Sequence, residues 1–281
     1  MNTLTRRDFL KIGGGFGIAA GLTGLAGILY AVGVEPNDIQ IETQTIHLQR
    51  LPARFDGFKV ALLSDLHLYP FTTVELIDEA IRLANSFDPD LVLFAGDFVY
   101  KSVEAALDLV PLLEKLNPAR GAFAVLGNHD HWVGPQIVSE ALSKAGVELL
   151  TNRGVELQIG SDSIYLAGID SFLAGSPRPS EAFSGRRGDL CSIALVHEPD
   201  PITELCVEVP IDLQFSGHSH GGQVRFPVFG PLVLPVFGKI YDLGLYRVGH
   251  AQIYTTRGIG TVALPVRFNC PPEVTAITLR A

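Results

Sequence analysis

Cysteine is scarce in this chain: there are three in 281 residues, Cys191, Cys206 and Cys270. So few and so scattered, they exclude a disulfide framework or a zinc ribbon and leave buried thiols, or at most one bridge. Positive charge is short as well, with 21 Lys and Arg against 30 Asp and Glu and a formal net charge of -9. That balance argues against nucleic acid as a partner, because tracking a phosphate backbone needs a concentrated basic face. An acidic chain can still take phosphate if bound cations supply the local positive charge. Only 18% of residues are charged while 47% are hydrophobic, which excludes a disordered chain and permits a large core. Internal repeats and low-complexity linkers are also missing, so nothing divides the chain between about residue 35 and residue 281.

Charge is absent altogether from residues 12–34. Those 23 residues match the thickness of a bilayer, yet eight glycines make them a weak helix former. Just before them stands Thr5-Arg6-Arg7-Asp8-Phe9-Leu10-Lys11. Paired arginines ahead of an apolar run read as a twin-arginine export signal, implying the twin-arginine export machinery as a partner. Residues 1–34 are then either a signal peptide, cut near Ala31-Val32-Gly33, or a retained N-terminal membrane anchor. Export places residues 35–281 in the periplasm or on the outer face of the cytoplasmic membrane, in contact with membrane or cell wall, while an uncleaved signal could leave the domain facing the cytoplasm.

The remaining chain alternates in period. Residues 39–48 roughly alternate as an entry or edge strand, and 58–64, 91–95 and 122–126 are short apolar runs that read as strands buried on both faces. Between them, Thr72-Thr73-Val74-Glu75 forms a capping box ahead of a helical stripe at Leu76, Ile77, Ala80, Ile81 and Ala84. Further helices are predicted over 103–116 and 135–145. This β-α-β-α-β-α series implies a parallel sheet with helices packed outside it. The second half is mostly strands, at 147–150, 155–159, 164–167, 192–196, 213–216, 252–256 and 274–279, with one helix at 201–206. The pattern predicts an α/β (α+β) domain of two facing sheets with helices outside.

Polar clusters follow several of these runs: Asp65-Leu66-His67, Gly96-Asp97, Gly127-Asn128-His129-Asp130, His197 and Gly217-His218-Ser219-His220. Ligands of open α/β sheets sit beyond the carboxyl ends of the strands, so these clusters can converge despite their separation. Asp65, His67, Asp97, Asn128, His197, His218 and His220 offer oxygen and nitrogen donors without a thiolate, a set suited to Mn, Fe or Zn rather than Ca. Seven donors are too many for one tetrahedral ion but natural for two divalent metal ions sharing a carboxylate. Such a pair can generate a bridging hydroxide as nucleophile.

Through these motifs the chain resembles the calcineurin-like metallophosphoesterase superfamily, in the family's order and over nearly all of the part after residue 34. The resemblance implies a four-layer αββα sandwich of two mixed β-sheets. It also implies that Asp65, His67 and His220 hold one metal, Asn128, His197 and His218 the other, with Asp97 between them. His129 would be catalytic and no ligand, its imidazole stabilising phosphoryl charge or protonating the leaving oxygen. Asp130 either orients His129 or is an ordinary turn aspartate. The Gly-Asp-x-x-Asp-Arg-Gly motif of protein phosphatases is absent at Gly96 to Ser102, which disfavours that activity. Tyr100 reads as structural because His67 is present, and His47, His131 and His250 as surface or packing residues.

The arginine signal, Gly217 to Val224 and Pro265 to Glu273 resemble the bacterial exported, YaeI/YkuE-like branch. That branch implies phosphodiester cleavage at the cell envelope on a phosphodiester or phospholipid-like substrate. A UDP-2,3-diacylglucosamine pyrophosphate hydrolase in lipid A metabolism is the alternative, and a non-catalytic cell-wall or metal-binding protein a third reading. Arg225, Arg257 and Arg267 are the candidates to grip an anionic group, with surface salt links as the other explanation. Residues 226–238 are apolar but too rich in Pro and Gly for a regular element. They form either an acyl-accepting or membrane-touching wall beside the metals, or a loop folded on the core.

Overall fold

The computed structural model describes residues 24–281. The arginine pair and residues 12–23 of the uncharged run lie outside the described residues. Residues 24–33 are helical (α1), and no described helix is long and apolar enough to cross a membrane.

The first sheet is built from β1 (Gln40–His47), β2 (Lys59–Leu63), β3 (Leu91–Phe94), β4 (Ala122–Ala124), β5 (Val147–Leu149) and β14 (Glu273–Arg280). Its order is β1-β14-β2-β3-β4-β5, with β14 antiparallel to β2 and every other pair parallel. The second contains β6 (Arg153–Ile159), β7 (Asp162–Gly168), β8 (Cys191–Leu195), β9 (Leu213–Ser216), β12 (Gly244–Val248) and β13 (Ala251–Thr255). Its order is β12-β13-β9-β8-β7-β6, parallel inside and antiparallel at both edges.

Side chains of successive strand residues point to opposite faces, so a strand covered on both sides must be apolar throughout. In β2, Val60 and Leu62 join Ile193 and Phe215 in the core between the sheets. Ala61 and Leu63 turn the other way, onto Ile77 and Ile81 of α2 (Val74–Ser86). With α3 (Ala105–Leu113) and α5 (Pro135–Lys144), α2 forms one outer layer. The short α6 (Pro179–Ala182) and α7 (Ile202–Glu208) cover the second sheet. The architecture is therefore four layers, two mixed sheets flanked by helices.

One local expectation shifts. The N-cap of α2 is Thr73, whose hydroxyl accepts the Leu76 N–H at 3.4 Å. The capping box placed at Thr72 is thus one residue early, and the buried Thr72 hydroxyl has no hydrogen-bond partner among the described residues. Also unread were β12, α6, the two-residue hairpin of β10 (Arg225–Phe226) and β11 (Gly230–Pro231), and α4 (Asn128–Val133), which starts within the Gly-Asn-His-Asp motif.

Candidate metal centre

Five strands deliver the donors. β2 leads to Asp65 and His67, β3 to Asp97, β4 to Asn128, β8 to His197 and β9 to His218 and His220. All seven side chains are buried. Asp65, His67, Asp97, His218 and His220 adopt left-handed backbone, with φ of 54, 45, 58, 67 and 52°. That conformation costs an L-residue about 1–2 kcal/mol, and it persists only where the surroundings over-determine it. Here it turns the chain sharply at each strand end. Gly127 meets a different demand, close approach: a Cβ there would lie 2.1 Å from Asp97 Oδ1.

The donors fall into two groups around Asp97. His67 Nε2 and His220 Nε2 lie 3.0 Å apart, and His220 Nε2 is 3.3 Å from Asp65 Oδ1. Opposite them, His197 Nε2 lies 3.2 Å from both Asn128 Oδ1 and His218 Nδ1. Asp97 Oδ2 stands between the groups, 3.4 Å from His67 Nε2 and 3.2 Å from His197 Nε2.

Two tautomers are set by backbone carbonyls. His197 Nδ1–H donates to Ala95 O at 2.6 Å, and His218 Nε2–H to Val236 O at 2.8 Å. Each leaves the other ring nitrogen facing the centre as a lone pair, the form that binds metal. Burial opposes ionisation of Asp65 and Asp97, yet the surrounding histidines hold both carboxyls below the ordinary range. Burial pushes His220 down to about 3 and lowers His218, keeping both neutral. Asp97 raises His197 against its burial, so Nε2 of this ring offers its lone pair only where a cation takes the place of the proton it shares with Asp97. Imidazoles and carboxylates crowded this closely form clusters able to hold a divalent metal.

His129 belongs to neither tautomer-locked pair. Its N–H donates to Asp97 Oδ1 at 2.8 Å, and its Nδ1–H to Tyr100 O at 3.1 Å. Its ring packs edge-on against His67 and Trp132, both at 4.8 Å between centroids. A cavity of about 380 Å³ opens here, with Asp97, Asn128 and His129 on its floor and Leu173, Val233 and Pro235 on its walls.

Asp130 does not orient His129. Its carboxylate accepts four backbone N–H groups, those of Asp97 and Gly127 at 2.9 Å, Phe98 at 2.9 Å and Val99 at 3.2 Å. Burial and nearby Asp97 push it up to about 7, against those four donors. Tyr100 is structural, its hydroxyl accepting the Ala263 N–H at 3.0 Å. His131, expected at the surface or in packing, pairs with Asp170 at 2.7 Å and ties α4 to the loop after β7.

The three arginines are not brought to the cavity. Arg225 donates to Gly221 O and Asp242, and Arg257 pairs with Glu273 and Glu42. Arg267 is fully buried and donates to the carbonyls of Cys270, Arg257, Gly258 and Gly260. All three cysteines are free and buried. Two features escaped the sequence reading. Trp132 is a lone aromatic with no spacing to mark it. Glu198 is a buried carboxylate that accepts the N–H groups of Phe172 and Leu173 and so shapes a cavity wall.

A four-layer sandwich with buried Asp, Asn and His donors at the strand ends defines a metal-dependent phosphoester hydrolase. A family model described as calcineurin-like phosphoesterase matches residues 58–222, and the chain belongs to that family. Within it, the chain stands with the YaeI/YkuE-like branch. It is 38% identical to the uncharacterized metallophosphoesterase YkuE of Bacillus subtilis (strain 168), across all of this chain and 99% of that protein. It is 36% identical to phosphodiesterase YaeI of Escherichia coli (strain K12), across 79% of this chain and 82% of that one. UDP-2,3-diacylglucosamine pyrophosphatase LpxG of Chlamydia muridarum is 28% identical, across 88% and 91%.

Proposed function

We propose that the chain is a dinuclear metal-dependent phosphodiesterase of the cell envelope. The observation that carries this reading is Asp97 Oδ2, which lies 3.4 Å from His67 Nε2 and 3.2 Å from His197 Nε2 and so divides the donors into two sets. Asp65, His67 and His220 would hold one ion, Asn128, His197 and His218 the other, with Asp97 available to both. Mn, Fe or Zn suits this mixture of imidazole and carboxylate. When bound, the ions supply Lewis acidity, drawing charge from phosphoryl oxygens and lowering the pKa of water at the centre.

His129 does the work that the ligands cannot. Its Nδ1–H is held by the Tyr100 carbonyl, which leaves Nε2 to meet the substrate. There it acts as the imidazolium, protonated at both nitrogens: burial opposes that form and Asp97 favours it, and its Nε2–H then stabilises phosphoryl charge or passes to the leaving oxygen. Leu173, Val233 and Pro235 give the cavity apolar walls beside its buried polar floor. Likeness to YaeI supports a diester. Arg6-Arg7 and the uncharged residues 12–34 support export and a place at the membrane.

The test compares bis-p-nitrophenyl phosphate with p-nitrophenyl phosphate on chain reconstituted with Mn, Fe or Zn. Faster diester turnover is expected, and turnover of the monoester alone overturns the reading. A second reading, hydrolysis of the UDP-2,3-diacylglucosamine pyrophosphate bond, is favoured by likeness to LpxG and by those same apolar walls. It calls for a domain that meets substrate on the cytoplasmic side, so a topology reporter fused after residue 281 separates the two.

A further inference from the structure

We propose that residues 226–238 dock on a lipid bilayer and set the mouth of the metal centre at its surface. No charged residue occurs between Arg225 and Lys239. Within that stretch Val228 is fully exposed, and Phe229, Leu232 and Val233 are 88, 65 and 71% exposed. An isolated exposed apolar side chain is ordinary, but a contiguous set on one lobe marks a surface that something covers.

The lobe is built onto the site. Val236 O holds the His218 tautomer at 2.8 Å, and Val233 and Pro235 line the cavity. Its base is pinned by Asp200, whose carboxylate accepts the N–H groups of Lys239, Ile240 and Tyr241 at 2.8 to 3.2 Å. The lobe is thereby tethered to the centre at Val236 and to Asp200 just beyond its C-terminal end.

Continuity with α1 identifies the occupant. Tyr30 of α1 and Pro227 of the lobe line the same cleft, and Ala31 O accepts the Arg267 N–H at 2.9 Å. Leu25, Ile28 and Leu29 on α1 are more than half exposed. This helix lies in an uncharged run as long as a bilayer is thick. A bilayer that received this run would lie next to the lobe. With a net charge of -9, attachment comes from apolar insertion rather than attraction to anionic lipid, so it needs no charged lipid and resists salt.

The experiment uses the full metal-loaded chain with Val228→Cys carrying an environment-sensitive fluorophore. The three native thiols are buried, so the label is selective. On neutral phosphatidylcholine vesicles with brominated acyl chains, emission at 228 should shift to the blue and be quenched, equally at low and high salt. A label at Lys144→Cys, exposed at the end of α5, should do neither. Adding Phe229→Ser should weaken the shift while small-diester turnover stays unchanged. Vesicle capture with the 228 label still in water assigns attachment to residues 12–34 alone and overturns the proposal. Failure to bind vesicles at all overturns it too, as would quenching only in the presence of a protein partner. Diester turnover is scored separately, so loss of the docking claim leaves the catalytic reading standing.

Discussion

Asp130 holds Asp97 in position by accepting its backbone N–H at 2.9 Å through the same Oδ2 that accepts the Gly127 N–H at 2.9 Å. One carboxylate thereby joins the turn after β3 to the turn after β4, and the two clusters act as a unit. Replacing it by Asn leaves one acceptor oxygen and points an amide N–H₂ at backbone donors. Asp130→Asn should therefore lose about 1.5–3 kcal/mol of stability and bind metal more weakly. Chemical denaturation beside a metal titration checks both; an unchanged midpoint contradicts the role.

Gly127 gives a steric version of the same test. A Cβ at 2.1 Å from Asp97 Oδ1 cannot be absorbed by a buried carboxylate held on both sides. Gly127→Ala should shed metal and turnover together. Retention of full metal content by mass spectrometry would show that the turn can yield.

His129→Ala should keep its metals and lose catalysis. Removing a positioned acid or base typically costs about 10²–10⁴-fold in rate. The loss should fall on kcat, with KM little altered. A variant that loses metal instead would make His129 a ligand.

Arg267→Gln tests a different assignment. Buried against four carbonyls, Arg267 serves structure, so the substitution should lower the melting temperature by several degrees while KM for a small diester holds. A raised KM at unchanged stability would return it to the substrate.

The His131–Asp170 pair predicts a pH dependence of stability. Asp170 raises the folded-state pKa of half-buried His131 above its ordinary value of about 6.5. Its stabilisation is therefore complete below the unfolded value and is lost as pH climbs through the folded one. Asp170, held below the ordinary range by His131 despite its burial, loses its share as pH falls through its own folded value. Melting scans of His131→Gln should be flatter than wild type on the alkaline side of about pH 6.5. Parallel curves would remove the pair from the account.

Much of the fold was legible because a strand buried on both faces must read as an apolar run, and each such run from β2 to β4 ended in a polar cluster. The convergence of Asp65, His67, Asp97, Asn128, His197, His218 and His220 follows from two facing sheets whose parallel strands, β2 to β4 in one and β8 and β9 in the other, bring their carboxyl ends together. What stayed hidden depends on partners that sequence does not name. Asp130 and Glu198 act on amides brought near by folding, and nothing in their spacing says so. Arg225, Arg257 and Arg267 advertise charge, while the carbonyls and carboxylates that consume it appear only in the folded chain. The left-handed backbone at five donors is equally silent, because Asp and His at positive φ carry no signature such as glycine would. The start of α2 slipped by one because adjacent threonines offer two caps.

The measurement that bears most directly on a shared Asp97 is metal content per chain, counted with diester turnover, for wild type and Asp97→Asn. About two ions per wild-type chain are expected, as in two-metal sites generally. Asp97→Asn should fall below that count and lose turnover, since both sets of donors lose their common carboxylate. A single ion per wild-type chain with full turnover, or two ions kept and full turnover in Asp97→Asn, would contradict the dinuclear account.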